Sequence, residues 1–221
     1  GRWLAFIRKP EGIASGGRAA PCRIGPTRAD APPRFPDQPQ LYRMPLDGGE
    51  AERLTDLPLW AGLPRWFPDG GRIAFLAPVV ADAPDPGETA AELERRSRAR
   101  VSARVTEDRV YRYWDRWLTD GVVHHLFAID LNSGALTDLT PASRGWLPFM
   151  DRDGHYDIAP DGGQIAYTAE RSTPPHDVMV DGVFVVDLGR DARGALVPAP
   201  PRLLAPHHDG PAFRPAYSSD G

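Results

Sequence analysis

The sequence predicts an all-β fold, a partial β-propeller of four-stranded antiparallel blades with about three blades present. Three observations carry that expectation. A turn recurs, as WFPDGGRIAFLA at 66–77 and IAPDGGQIAYTA at 158–169. A second signature alternates with it along the chain. Proline and glycine, 25 and 22 of 221 residues, interrupt the sequence too often for long helices.

The turn has a direct physical reading. Pro68, Asp69 and Gly70, and again Pro160, Asp161 and Gly162, supply a fixed φ, an Asx-type side-chain bond and a permissive backbone between two apolar segments. Each copy then opens a strand in which Ile73 and Phe75 share one side and Ala74 takes the other, as Ile165, Ala166 and Tyr167 do later. At the start, Gly1-Arg2-Trp3-Leu4-Ala5-Phe6 falls into register with Gly70 to Phe75. At the end, Tyr217-Ser218-Ser219-Asp220-Gly221 repeats the opening half of the turn. Both ends are therefore expected to lie inside repeats, with residues 1–221 forming one partial propeller domain.

The second signature appears as LYRMPLDGGEAERLT at 41–55, HLFAIDLNSGALTDLT at 125–140 and GVFVVDLGRDARGALVPAPPRLLA at 182–205. Each reads as a hairpin, the middle copy turning at Asn132-Ser133-Gly134. Two hairpins per repeat make four strands. Equivalent glycines at positions 1, 70, 162 and 221 are separated by 69, 92 and 59 residues, more than the ~40–50 that a blade needs, so insertions are expected between strands.

Composition excludes several classes. No run approaches the ~18 apolar residues of a membrane span. A net charge of −4 offers no basic footprint for nucleic acid, and Lys9 is the only lysine. Cys22 stands alone, so no internal disulfide forms and stacking of blades must hold the array. Compartment is left open between cytoplasm and periplasm or exterior, and oligomeric state is not specified.

The longest insertion spans 80–124. Its GETAAELERRSRAR stretch predicts a solvated helix, with Glu92/Arg96 and Glu94/Arg98 at i,i+4 spacing and Leu93 almost its only large apolar residue. Beyond it, Tyr111, Tyr113, Asp115 and Trp117 alternate with Arg112, Trp114 and Arg116, which predicts a strand with one aromatic-rich face. That face fits a blade core. The blade core is the favoured reading; the sharper alternative is that Asp115, Trp114 or Trp117 reaches the pore or an adjoining chamber and contacts a ligand.

Taken together, the PDGG turns followed by IAF or IAY, YRYWDRWLTDGVVHHLFAIDL, and GWLPFMDRDGHYDIAPDGGQIAYTAE resemble the prolyl oligopeptidase family of serine peptidases, in its acylaminoacyl-peptidase and dipeptidyl peptidase V branch. Arg112-Tyr113-Trp114-Asp115 corresponds to an arginine-histidine-tryptophan-aspartate element, with tyrosine in place of histidine. Pro148-Phe149 and Tyr156-Asp157-Ile158-Ala159-Pro160-Asp161-Gly162 continue the match, with Ala159 in place of serine.

The resemblance implies a propeller that caps a downstream α/β-hydrolase domain, absent from this chain, whose serine, histidine and aspartate cleave short peptides through an acyl-enzyme. The propeller would gate substrates by size. It also implies that propeller residues can hold the substrate's amino end, for which a carboxylate is the expected partner: Asp115 first, then Glu107 or Asp108. The alternative is a non-enzymatic TolB-like propeller that binds a protein partner.

No catalytic residue, metal site or cofactor is expected within these residues. Gly12-Ile13-Ala14-Ser15-Gly16 lacks the spacing of a nucleophile elbow. His124 and His125 fall on opposite faces of a strand, and His207-His208-Asp209 lacks further ligands at recognisable spacing. Asp151, Asp153 and Asp157 lack the downstream glutamate of a calcium loop and read as a surface turn.

Overall fold

The computed structural model describes residues 2–10, 38–100, 103, 105–113, 116–144, 155–173 and 178–220, with backbone alone for Tyr113 and Arg116. In chain order the elements are β1 (Trp3–Arg8), β2 (Gln40–Pro45), β3 (Glu52–Arg53), β4 (Gly62–Trp66), β5 (Arg72–Val80), α1 (Pro86–Ser97), β6 (Arg112–Tyr113) and β7 (Arg116–Trp117). There follow β8 (Val122–Asp130), β9 (Leu136–Asp138), β10 (Tyr156–Ile158), β11 (Gln164–Glu170), β12 (Asp181–Arg190), β13 (Leu196–Pro198) and β14 (Arg202–Leu203).

The fold is all-β and built of open antiparallel sheets, as the blades of a partial β-propeller would be. Strand orders are β1-β2-β3, β4-β5-β8-β9 and β10-β11-β12-β13, with β14 also on β12 and β6-β7 as a separate ribbon. Two compact units divide the chain: Gly1–Ala99 with Leu126–Thr137, and Arg100–His125 with Asp138–Gly221. β5 and β11 are buried along both faces rather than one, Ile73, Ala74 and Phe75 alike being closed to solvent.

The recurring turn builds the same hydrogen-bond set twice. Gly70 N–H donates to Phe67 O at 3.0 Å and Gly162 N–H to Ala159 O at 2.8 Å, with φ of 66° and 70° at the two glycines. Asp69 Oδ1 accepts from Gly71 N–H at 2.9 Å, and Asp161 Oδ1 from Gly163 N–H at 2.8 Å. The next glycine carbonyl then receives the second signature: Leu131 N–H reaches Gly71 O, and Leu188 N–H reaches Gly163 O. A side chain crosses beside each contact, Arg72 Nε to Asp130 at 3.4 Å and Gln164 Nε2 to Asp187 at 2.6 Å. The Asp-Leu of the second signature is thus the docking point for the first.

Cross-strand aromatic pairs recur at equivalent places. Phe6 stacks on Tyr42, Phe75 on Phe127 and Tyr167 on Phe184, with centroids 5.9, 6.0 and 5.6 Å apart. Two residues before the second aromatic of each pair stands a buried position with three different occupants. Gln40 donates to Leu57 O and Leu59 O, and its Oε1 accepts from Thr55 Oγ1 and Leu57 N–H. His125 faces Asp138 Oδ2 at 2.7 Å and Ser143 O at 3.0 Å. At Gly182 a Cβ would lie 2.8 Å from Leu203 Cδ1 and 2.9 Å from Arg171 Cδ, so those two chains occupy the space. Gln40 and His125 pin the connection that leaves each sheet, and Leu203 fills by bulk what they fill by hydrogen bonding.

Helix α1 starts where Asp85 caps Gly87 N–H at 2.8 Å and Pro86 presets the first turn. Glu92 accepts from Arg95 and Arg96, which draw its carboxyl down to about 2, while Glu94 pairs with Arg98. Thr89 and Ala90 are its buried residues, with the Thr89 hydroxyl bridging Val80 N–H and Ala83 O. Among the described residues no helix is long and apolar enough to cross a membrane.

Two expectations are corrected. Residues 111–117 do not form one strand: β6 and β7 pair antiparallel, Arg112 opposite Trp117 and Tyr113 opposite Arg116, so the chain reverses between them. Asp157 is not in a surface turn but in β10, where its carboxylate accepts the Tyr217 N–H at 2.9 Å.

Candidate functional site

Of the sequence-predicted ligand residues, Trp117 lies on the β6–β7 ribbon. Leu118 N–H donates to Tyr111 O at 2.9 Å, closing the base of the ribbon, and Leu118 itself is buried. Above this base the rings of Tyr111 and Trp117 meet in a tilted contact, centroids 5.4 Å apart at 41°. Trp117 is half-buried and Tyr111 is 43% exposed. A two-stranded ribbon is marginal by itself, and this ring pair supplies apolar contact across it.

Glu107 is exposed and Asp108 half-buried, with the Asp108 N–H donating to Thr106 Oγ1. Trp114 and Asp115 lie outside the described residues, as do Ser15, Cys22, Pro148, Phe149, Asp151, Asp153 and Gly221. Asp220 accepts from the Ser218 hydroxyl, which lowers its carboxyl below the usual range. No group of three or more His, Cys, Asp or Glu among the described residues could hold a metal ion.

Two polar groupings were not anticipated. Tyr167 is buried on β11 near Ser143 and Asp138, and loss of water around its hydroxyl pushes it up to about 12. This places a tyrosine beside the His125–Asp138 pair. At the far end of the same sheet, Glu170 on β11 stands opposite Asp181 on β12. Glu170 is buried and accepts the Ser172 N–H at 2.6 Å. Burial first, and the Glu170 charge second, raise the Asp181 carboxyl above its ordinary value. Neither grouping has a short-range motif, since each depends on strand register.

The Asp181 shift has a definite sign. A carboxyl raised in the folded state binds more protons there than in the unfolded chain, so its contribution is full below the unfolded value and is lost as pH rises through the folded one. Asp181→Asn is therefore expected to raise Tm at neutral pH by about 1–3 °C, the half-exposed setting screening the repulsion. The gain should vanish near pH 3, in thermal melts run across the acid range; an equal gain at both ends would contradict the repulsion.

No family model matches the chain. Two curated proteins do. It is 29% identical over 163 residues to the uncharacterized peptidase YuxL of Bacillus subtilis (strain 168), covering 71% of this chain and 23% of the relative. It is 28% identical over 177 residues to dipeptidyl-peptidase 5 of Porphyromonas endodontalis, covering 61% of this chain and 25% of the relative. Both proteins to which it is similar are named as peptidases. It spans about a quarter of the length of the curated relatives it matches. Among solved structures, TolB from Acinetobacter baumannii superposes with a TM-score of 0.42 and 14% identity, over 90% of this chain and 30% of that one.

The Tyr111–Trp117 pair offers apolar ring surface at a solvent-facing ribbon. The turn carboxylates Asp69 and Asp161 are already committed to backbone N–H groups.

Proposed function

We propose that this chain is the propeller portion of a serine-type peptidase, controlling which peptides reach a hydrolase domain carried elsewhere in the protein. The observation that carries the reading is the peptidase identity of both curated relatives, matched over 71% and 61% of the chain. The described residues contribute blade structure, and the chemistry is assigned to the remaining length of such a protein. Short peptides are the proposed substrates, because a propeller that gates by size would admit an extended chain and exclude a folded one.

Asp115 is proposed to hold the substrate α-ammonium through a charge-assisted hydrogen bond. Trp114 and Trp117 would flank the peptide, with Glu107 and Asp108 as weaker carboxylate candidates. In the full-length protein, Asp115→Asn is expected to raise KM roughly 10–100-fold for peptides with a free amino end and to leave amino-blocked peptides unchanged. Equal effects on both substrates would remove that role. A fluorophosphonate that labels serine nucleophiles should abolish cleavage; an unlabelled protein without peptidase activity would make this a binding propeller.

A further inference from the structure

We propose that His125 and Asp138 form a proton-dependent clamp on the turn at residues 140–144. The argument is a count of protons. His125 is closed to solvent, and both of its ring nitrogens face oxygen: Nδ1 lies 2.7 Å from Asp138 Oδ2 and Nε2 lies 3.0 Å from Ser143 O. A peptide carbonyl only accepts, so Nε2 carries a hydrogen. The short contact between Nδ1 and the carboxylate needs a second hydrogen, on either partner. The intact clamp therefore holds two protons on the His125–Asp138 pair.

Removing one proton leaves a single N–H for two acceptors. One contact must then become a lone pair facing a lone pair at about 3 Å inside the protein, which is repulsive and costs the desolvation of the stranded group. The carbonyl at stake belongs to a short chain of bonds. Asp138 Oδ1 accepts Thr140 N–H at 2.9 Å, and Ser143 N–H donates to Thr140 O at 2.9 Å. Carboxylate, turn and imidazole therefore tighten or loosen as one unit.

The equivalent position elsewhere shows what a proton-independent clamp looks like. Gln40 makes the corresponding links to residues 55–59 with an amide whose donors and acceptor are fixed at every pH. His125 performs the same task with an imidazole, whose number of donors changes with its protonation. The other titratable and charged groups around the cluster do not replace it. Tyr167 on β11 keeps its proton through that range. Arg144 donates Nη1 to Ser143 O at 3.1 Å and to Pro141 O at 3.3 Å. Its guanidinium is exposed, and the Asp138 carboxylate is the charged group in direct contact with the ring.

The test uses the 221-residue chain and its His125→Gln variant. Hydrogen exchange of the Ser143 amide, corrected for the intrinsic pH dependence of exchange, is expected to lose about tenfold or more of its protection in the wild type between roughly pH 5 and 8. In His125→Gln the protection should hold constant. Thermal melts should show wild-type stability falling relative to the variant as pH rises, because the folded state binds the extra proton. Parallel pH profiles for the two proteins would overturn the clamp. If the variant fails to fold, 15N spectra of the wild-type imidazole decide: a clamp that stays intact while the His125–Asp138 pair holds only one proton would overturn it equally.

Discussion

Phe127→Ala is expected to destabilise the chain by about 3–5 kcal/mol, roughly 10 °C in Tm. Phe127 is buried on β8 and its ring stacks on Phe75, so truncation removes a large apolar side chain and leaves a cavity against the partner ring. Walls of β-sheet relax poorly into such a space, because the strands are fixed by their hydrogen bonds. Thermal or denaturant unfolding measures the loss. Phe127→Leu keeps most of the volume and should lose distinctly less; equal losses from both variants would show that ring stacking, not filled space, dominates there.

Gln40→Leu should be nearly as severe, by a different route. The amide is closed to solvent and serves Leu57 O, Leu59 O, Leu57 N–H and the Thr55 hydroxyl at once. Leucine fits the space and satisfies none of them. Each buried group left without its partner costs about 1–3 kcal/mol, so a loss of at least about 3 kcal/mol is expected even though the terms do not add fully. Gln40→Glu supplies a sharper check. Its carboxylate can still accept from Thr55 and Leu57 N–H but turns an acceptor toward Leu57 O and Leu59 O, so it should fail in the same stability assay at neutral pH and recover in acid. A Gln40→Leu variant as stable as the wild type would mean that these peptide groups find other partners.

What was readable in the chain was what is encoded over a few neighbouring residues. Pro68-Asp69-Gly70-Gly71 names its own turn, because a fixed φ, an Asx bond and a positive φ are each the property of one residue. Asp85-Pro86 with the Glu92/Arg96 and Glu94/Arg98 spacings marks α1 in the same way. The antiparallel pairing of β6 with β7 escaped because the sequence from 111 to 117 has neither glycine nor proline and its alternation of large side chains runs unbroken. Gln40 and His125 escaped for a longer-range reason. A polar residue ahead of an apolar run reads as a strand entering from solvent. Only the pairing that brings residues 17 and 18 positions later against it reveals a filled interior site. Glu170 and Asp181 depend likewise on register across the β11–β12 connection.

The position shared by Gln40, His125 and Gly182 bears on how such repeats can change. Glycine is viable at 182 because Leu203 and Arg171 already fill its surroundings, and histidine at 125 has Asp138 and Ser143 as its partners. Neither residue can be exchanged without its counterpart: histidine at 182 would strike Leu203, and glycine at 125 would abandon Asp138 and Ser143. Divergence here must travel in pairs separated by more than a dozen residues, so two repeats can keep one backbone plan while every column compared singly suggests they have nothing in common.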